Sequence, residues 1–546
     1  MHRASTGGSG MSMPRFELDL RPVADGDVWT AFDVHYLVDL PAVAAGETLL
    51  SIPEVVVSIP ATPYRTEDLA VSDDAGPLVL TEAEPTSDSS GVYRHWVADR
   101  TTEGRVEVAF RAPVRPHDEL TPVGPLFDLR AEELGLFGAG LNFLVLPGDV
   151  STPDGPVFDF SLRWLLDEGV QAVSSYGTGD RSWSGPLQSV AFCYYAAGTP
   201  HRTPEGSGDF GIHSYNDTPF DLDEIGEYVA RLHTEFTRFF EDEGSSYHVL
   251  IRKNLGQGTG GSAFPGSFAF AFSAVGETET DQLRSLLAHE MAHNWPTLND
   301  HHSAISWYTE GTAEYYSHVL PHRSGMLSTT ALAAQLTDRF QQYDTNALRG
   351  LDNDAASAAY WADPRAQRIP YGRGLRYLIA TDGRVRQATD GEKSLDDVVL
   401  DILRAQRAGE QVGAAGWVER VAAFTGADAQ RDFDAMAAGT PIPLPEVLFE
   451  GMRAVPATAA EYDLGFDVAS FRSDGRRVQG LRPDSAAARA GVRDGDALVD
   501  LALPYHASRY SDRPLSLHVV RDGEPLDFDY LPAGDQVATV RWEALS

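Results

Sequence analysis

His289 and His293 stand four residues apart in the run His289-Glu290-Met291-Ala292-His293, and that spacing is the tightest constraint in the chain. On a helix, residues four apart share one face, so both imidazoles can meet one metal ion. Glu290 lies about 100° around the axis, beside such an ion, where it can take a proton from a water. The flanking residues read as a helix. Leu283, Leu286 and Leu287 form an apolar face upstream, Ala288 and Ala292 permit close packing, and Thr280 or Asp281 can cap the start.

A hydrolytic zinc site wants three protein ligands and one open position. The run from Trp307 to Tyr316 supplies a third candidate, Glu310, 17 residues after His293 and so with room for a turn and a return helix. Glu314 follows one helical turn later on nearly the same face. Metal-binding imidazoles need their other N–H anchored, often by a carboxylate, and Glu314 is the candidate anchor for His289. An isolated helical Glu is ordinarily a solvated surface residue. The neighbouring aromatics Trp307, Tyr308, Tyr315 and Tyr316 argue against that here. His301, His302, His318 and His322 stand nearby as competing ligands, but none sits in a motif that fixes its direction.

The rest of the chain is organised in three parts. At 546 residues it is too long for one core. Residues 1–205 carry short β-branched or alternating runs, such as Leu50 to Ile52 and Val106 to Phe110, separated by Pro, Gly and Asp clusters. A sandwich-like domain is the economical reading. Between 206 and 445, strands at Phe210 to Tyr215, Tyr247 to Arg252 and Phe268 to Phe272 surround a helix capped by Asp221 and a Gly-rich stretch, Gly256 to Gly266. Helical patterns then follow at 281–295, 305–320, 329–343, 372–381, 395–408 and 414–424. A Pro-rich linker, 439–445, leads into a strand-like segment, 446–546.

Charge and cysteine usage narrow the partners. There are 80 acidic against 43 basic residues, a formal net charge of -37, which disfavours nucleic acid and anionic membrane surfaces. The bland reading of that charge is solubility, or a salty or GC-rich host. Cys193 is alone, so no intrachain disulfide forms, and within Phe192-Cys193-Tyr194-Tyr195 it reads as a small buried hydrophobe. The first residues lack the apolar core of a secretory signal, and no 18-residue apolar run predicts a membrane span. A cytoplasmic protein is the default expectation, with Met11 or Met13 equally able to be the start.

Taken together, His289-Glu290-x-x-His293-x-Trp295 and Trp307-x-x-Glu310-Gly311 resemble the gluzincin metallopeptidases, and more specifically the glycyl aminopeptidase family. The aminopeptidase N group is a more distant relative. The resemblance implies a multidomain α+β architecture: a β-sandwich-like N-terminal domain, a thermolysin-like, mainly helical catalytic domain and a C-terminal PDZ domain. It implies one zinc ion held by His289, His293 and Glu310, with Glu290 as general base in peptide hydrolysis. Pro370-Tyr371-Gly372-Arg373-Gly374 resembles the family's Pro-Tyr-x-Lys/Arg-Gly segment, which implies Tyr371 as hydrogen-bond donor to the oxyanion. At the C-terminus, Tyr462-Asp463-Leu464-Gly465-Phe466 resembles the carboxylate-binding loop of PDZ domains, and the run Pro483 to Asp496 resembles their small-residue helix and turn. Leu464, Gly465 and Phe466 would then receive a peptide C-terminus. The alternative is a module that packs on its neighbour with an empty groove.

One departure stands out. The family's strand bordering the substrate reads Gly-Gly-Leu-Glu-His, and here it reads Gly260-Gly261-Ser262-Ala263-Phe264. Gly260 and Gly261 remain as substrate-lining candidates, but the glutamate that would pair with a substrate α-ammonium is missing. Aminopeptidase action on small N-terminal residues therefore competes with other peptidase specificities. A second reading is a non-hydrolytic peptide-binding scaffold that uses the PDZ groove or the old cleft.

Overall fold

The structure is a computed structural model. It describes residues 13–545 apart from 57–58, 88–90, 120, 122–123, 149–154, 207, 209, 243, 257, 276–279, 361, 446–448, 472–474 and 500–509. The chain divides into two compact units. One comprises the described residues of 1–230 and 243–282, the other those of 231–242 and 283–545. No helix among the described residues is long and apolar enough to cross a membrane.

The first unit is built on sheets. Strands β1 (Arg15–Asp25), β2 (Val28–Asp39), β3 (Arg105–Pro113), β4 (Val157–Trp164) and β5 (Arg181–Pro186) lie in the order β5-β4-β1-β2-β3, extended by Ala70–Asp73 and Gly76–Pro77. Alternation dictates their buried face: Phe16, Leu18 and Leu20 on β1 and Phe32, Val34, Tyr36 and Val38 on β2 are all buried. Two further sheets, one containing Thr48–Val56 and Gly91–Ala98, the other Gly135–Ala139 and Tyr194–Gly198, share this core. Cys193 is fully buried within it.

A fourth sheet belongs to the same unit. His201–Thr203 is followed by β6 (Phe210–Ser214), β7 (Tyr247–Asn254), β8 (Gly260–Phe264) and β9 (Ser267–Ser273), in the order β6-β7-β9-β8. The pairs β6·β7 and β7·β9 are parallel, and β8 joins β9 antiparallel at the edge. The sequence boundary near 205 falls inside this unit. The reason is burial on both faces: β9 is buried at every position and β7 at all but Lys253. The Gly-rich stretch contains strand β8, where the resemblance implies a strand, and its pairing partner supplies the order that composition does not.

A buried ion cluster stitches this unit together. Asp128 Oδ2 lies 2.7 Å from Arg130 Nε, and Asp128 Oδ1 lies 2.8 Å from Arg252 Nη2 on β7. Burial alone would raise the Asp128 carboxyl, but Arg252 and Arg130 outweigh it and hold the group at about 2.

The second unit is mainly helical. The last residues of α1 (Leu222–Phe239) enter it, followed by α2 (Thr280–Ala292), α3 (His302–Arg323), α4 (Thr329–Asp344), α5 (Ile369–Ala388), α6 (Leu395–Arg407), α7 (Ala414–Thr425) and α8 (Asp428–Ala437). Short helices at Asn353–Ala359 and Pro364–Gln367 had no sequence signal strong enough to predict them. Helix α5 begins three residues before the predicted start, because Pro370 sits in the first turn, where a missing N–H costs nothing.

Helices α3 and α5 cross unusually closely. A Cβ added to Gly311 would lie 2.6 Å from Gly374 Cα, and one added to Gly374 would lie 2.0 Å from the Trp307 carbonyl oxygen. Glycine at both positions is what lets the two backbones touch.

The segment beyond the linker forms a strand pair, β10 (Met452–Tyr462) with β13 (Ala533–Ala544), and a sheet in which β11 (Leu515–Arg521) lies between Ala497–Leu498 and β12 (Glu524–Tyr530). It has its own small core of Tyr462, Leu464, Phe466, Val478, Ala487, Leu517 and Val519 among others.

Asp128→Ala is expected to destabilise the protein by about 3–5 kcal/mol in urea unfolding, since two buried guanidinium groups lose their counter-charge. The native carboxyl titrates at about 2, below the ~3.9 of an unfolded aspartate. Its contribution is therefore present above pH ~4 and lost as pH falls through about 2.

Candidate metal centre

Helix α2 buries Leu283, Leu287, Ala288, Met291 and Ala292 and carries His289 on that same buried side. His293 lies one residue past the helix end. Glu310 comes from α3 and is 8 % exposed. These three side chains converge. His289 Nε2 is 3.2 Å from His293 Nε2 and 3.3 Å from Glu310 Oε2, and His293 Nε2 is 3.6 Å from the same oxygen.

That spacing tests whether a metal fits. Tetrahedral zinc with ligands at ~2.0–2.1 Å sets neighbouring ligand atoms ~3.3 Å apart. The observed separations bracket this value. Glu310 Oε2 is also buried with no hydrogen-bond partner among the described residues. A cation shared by the three atoms would satisfy it. No other group of three His, Cys, Asp or Glu side chains among the described residues is placed to hold a metal.

Glu314, one turn beyond Glu310, is 5 % exposed, and its Oε1 lies 3.4 Å from His289 Nδ1. Burial raises its carboxyl, but Arg339, His289 and His318 lower it more, to about 2. Glu290 is half-buried beside His289. Burial pushes its carboxyl up to about 7, with His289 opposing and Glu310 and Glu314 adding to the rise.

Tyr371, on the first turn of α5, stacks on His289 with ring centroids 5.5 Å apart and 12° between planes. Its phenol is held well above the ordinary range, first by burial and then by Glu310, so it remains a proton donor. The Arg368 guanidinium lies 5.3 Å from the Tyr371 ring centre. Arg373 of the same segment is buried. It donates to Asn353 Oδ1 at 2.7 Å and to the carbonyls of Arg349 and Leu351.

The competing histidines do other work. His301 caps α3, accepting from the Ser303 N–H. His318 Nδ1 is 2.5 Å from the Glu314 carbonyl oxygen, and His322 Nδ1 is 3.0 Å from that of Leu327. The His302 side chain lies outside the described residues.

Gly260 and Gly261 sit on the edge strand β8, opposite Ala271 and Phe270. The Phe268 ring covers Gly261 so closely that a Cβ there would meet it at 2.1 Å. Ser262 is engaged within its own unit: its Oγ accepts from the Leu126 N–H and its carbonyl from Tyr194 Oη.

In the C-terminal segment, Leu464 and Phe466 turn into the small core, and Gly465 takes φ +89°. Its N–H donates to Asp463 Oδ1 at 2.9 Å, and Asp463 pairs with Arg482. The loop's central donor is thus met by a carboxylate of the loop itself. Part of the expected PDZ module, 500–509, lies outside the described residues.

No family model matches the chain, and no curated protein matches its sequence. Solved structures do. An aminopeptidase N family protein from Idiomarina loihiensis aligns over 96 % of this chain and 98 % of its own, with a TM-score of 0.64 and 15 % identity. An M1 zinc metallopeptidase from Deinococcus radiodurans aligns over 80 % of this chain and 96 % of its own, with a TM-score of 0.48 and 16 % identity. Leukotriene A4 hydrolase from Saccharomyces cerevisiae aligns over 80 % of this chain and 69 % of its own, with a TM-score of 0.48 and 15 % identity. The first of these shows that the fold is shared along nearly the whole chain.

Two signals escaped the sequence reading. Arg339 sits on α4 in no motif, and the pairing of Gly311 with Gly374 spans 63 residues. Gly374→Val is expected to force α3 and α5 apart. Metal occupancy of the His289, His293 and Glu310 group, measured by elemental analysis after loading with zinc, should fall along with the melting temperature. A variant with full zinc and an unchanged melting temperature would show that the crossing does not position Glu310.

Proposed function

We propose that this chain is a zinc-dependent peptidase whose metal is held by His289, His293 and Glu310. The observation that carries this reading is the convergence of the three ligand atoms at tetrahedral spacing, with Glu290 next in the chain to the first of them. When bound, zinc would supply Lewis acidity toward a water and toward the carbonyl oxygen of a peptide bond.

The chain's own residues do the rest. Glu290 accepts the proton of the attacking water and hands it to the leaving amine. Tyr371 donates its hydroxyl hydrogen bond to the developing oxyanion. Glu314 holds His289 in the orientation that points Nε2 at the cluster. Gly260 and Gly261 offer an edge strand along which a peptide can run. The shared aminopeptidase N family fold supports this reading, and the motifs quoted above favour its glycyl aminopeptidase-like branch. Ala263 occupies the position of the amine-binding glutamate, so this chain tolerates substrates without a free N-terminus.

A non-hydrolytic scaffold is the second reading, motivated by Ala263. The complete ligand set disfavours it. We also assign the C-terminal segment to a PDZ domain whose Leu464-Gly465-Phe466 loop takes a peptide C-terminus after Asp463 is displaced.

A fluorogenic peptide mixture with free and blocked N-termini, assayed with and without chelator, separates the two readings. Chelator-sensitive cleavage is expected, and its absence with zinc bound would leave the scaffold. Glu290→Gln is expected to retain one zinc per chain and lose about 10²–10⁴-fold in kcat. Tyr371→Phe is expected to lose about 10²–10³-fold in kcat with little change in zinc content. Glu310→Ala should lose the metal itself, read by elemental analysis after dialysis.

A further inference from the structure

We propose that Arg339 is a positioning residue of the metal centre, acting through Glu314 on His289. The inference rests on the ligand set proposed above and adds a residue that no motif marks. Its basis is a continuous line of contacts. Arg339 Nε lies 3.0 Å from Glu314 Oε2, while the other oxygen, Oε1, lies 3.4 Å from His289 Nδ1. One carboxylate is thus held from both sides. The Glu314 side chain is 6 % exposed, and that of Arg339 is 28 % exposed.

The geometry explains why a cation is needed there. A buried carboxylate without a partner is costly and free to rotate away. With the Arg339 guanidinium ion-paired on the Oε2 side, Oε1 is left facing His289 Nδ1, where its charge favours the proton on that nitrogen. His318, on the same helix as Glu314, approaches the same oxygen only to 4.0 Å and is bonded through Nδ1 to a backbone carbonyl. It does not replace the guanidinium.

Helix α4, which carries Arg339, is itself fixed from outside the site. Thr337 Oγ1 accepts the Trp542 N–H at 2.9 Å, and the Phe340 and Trp542 rings lie 5.5 Å apart. Farther along, the Thr345 carbonyl accepts the Tyr462 N–H at 2.9 Å. Phe449 bridges back to the metal helix, 5.7 Å from both Trp542 and Tyr315, and Tyr315 follows Glu314 in α3. The strand pair β10·β13 therefore braces the helix that delivers Arg339 to Glu314.

The test uses the full chain with zinc as the probe and measures zinc affinity by competition with a chromogenic chelator. Arg339→Met is expected to weaken zinc binding about 10–100-fold. In a Glu314→Gln background the same substitution should change affinity little, because the group it acts on has gone. Equal losses in both backgrounds, or wild-type affinity in Arg339→Met, would overturn the proposal. If Arg339→Met fails to fold, the double variant Glu314→Gln/Arg339→Met removes the uncompensated carboxylate and is expected to fold. Failure of the double variant as well would show that α4 needs Arg339 for its own sake, and the proposal falls. A wild-type chain that binds one zinc and cleaves no peptide would defeat the peptidase reading while leaving this measurement intact.

Discussion

The close crossing of α3 and α5 is the contact on which the centre depends. Gly311 follows Glu310 directly, and Gly374 lies three residues after Tyr371. With both Cβ atoms absent, the backbones meet at a distance no other residue pair allows. The crossing brings a candidate ligand and a candidate oxyanion donor to one place. Trp307 meets Tyr377 and Trp417 edge to face, and the Tyr377 and Trp417 rings lie tilted 6.2 Å apart, so an aromatic layer flanks the crossing.

Around that crossing, charge is arranged in layers. The innermost layer is the converging His289, His293 and Glu310 side chains, whose facing atoms lie 3.2 to 3.6 Å apart. The next is Glu314, whose Oε1 lies 3.4 Å from His289 Nδ1. Outside it stands Arg339, on a helix clamped by the C-terminal strands. Each layer relieves the cost of burying the one inside it. The same logic runs through the first unit, where Asp128 is tolerated at zero exposure because Arg130 and Arg252 flank it.

Much of the centre was legible in the primary structure because its signals are local. His289 and His293 are joined by helical periodicity, Glu310 and Glu314 by the same rule, and the aromatic flank announces burial. Gly260 to Phe264 was legible as a strand only through the resemblance, since an edge strand rich in small residues takes its order from the neighbour it pairs with. The placement of residues 206–230 and 243–282 with the β-rich unit was equally hidden. Phe210 to Tyr215, Tyr247 to Arg252 and Phe268 to Phe272 read as strands, but which sheet a strand joins is set by partners distant in sequence.

The residue order by itself carries the candidate ligand set, the candidate base and the change from strand-like to helical texture along the chain, because each is written within a helical turn or in local composition. Only the tertiary structure decided that Gly311 meets Gly374, that Arg339 faces Glu314, and that Asp463 closes on its own loop. Those pairs are separated by tens of residues or depend on a backbone turn, and nothing in a linear pattern encodes a distance between segments until packing brings them together.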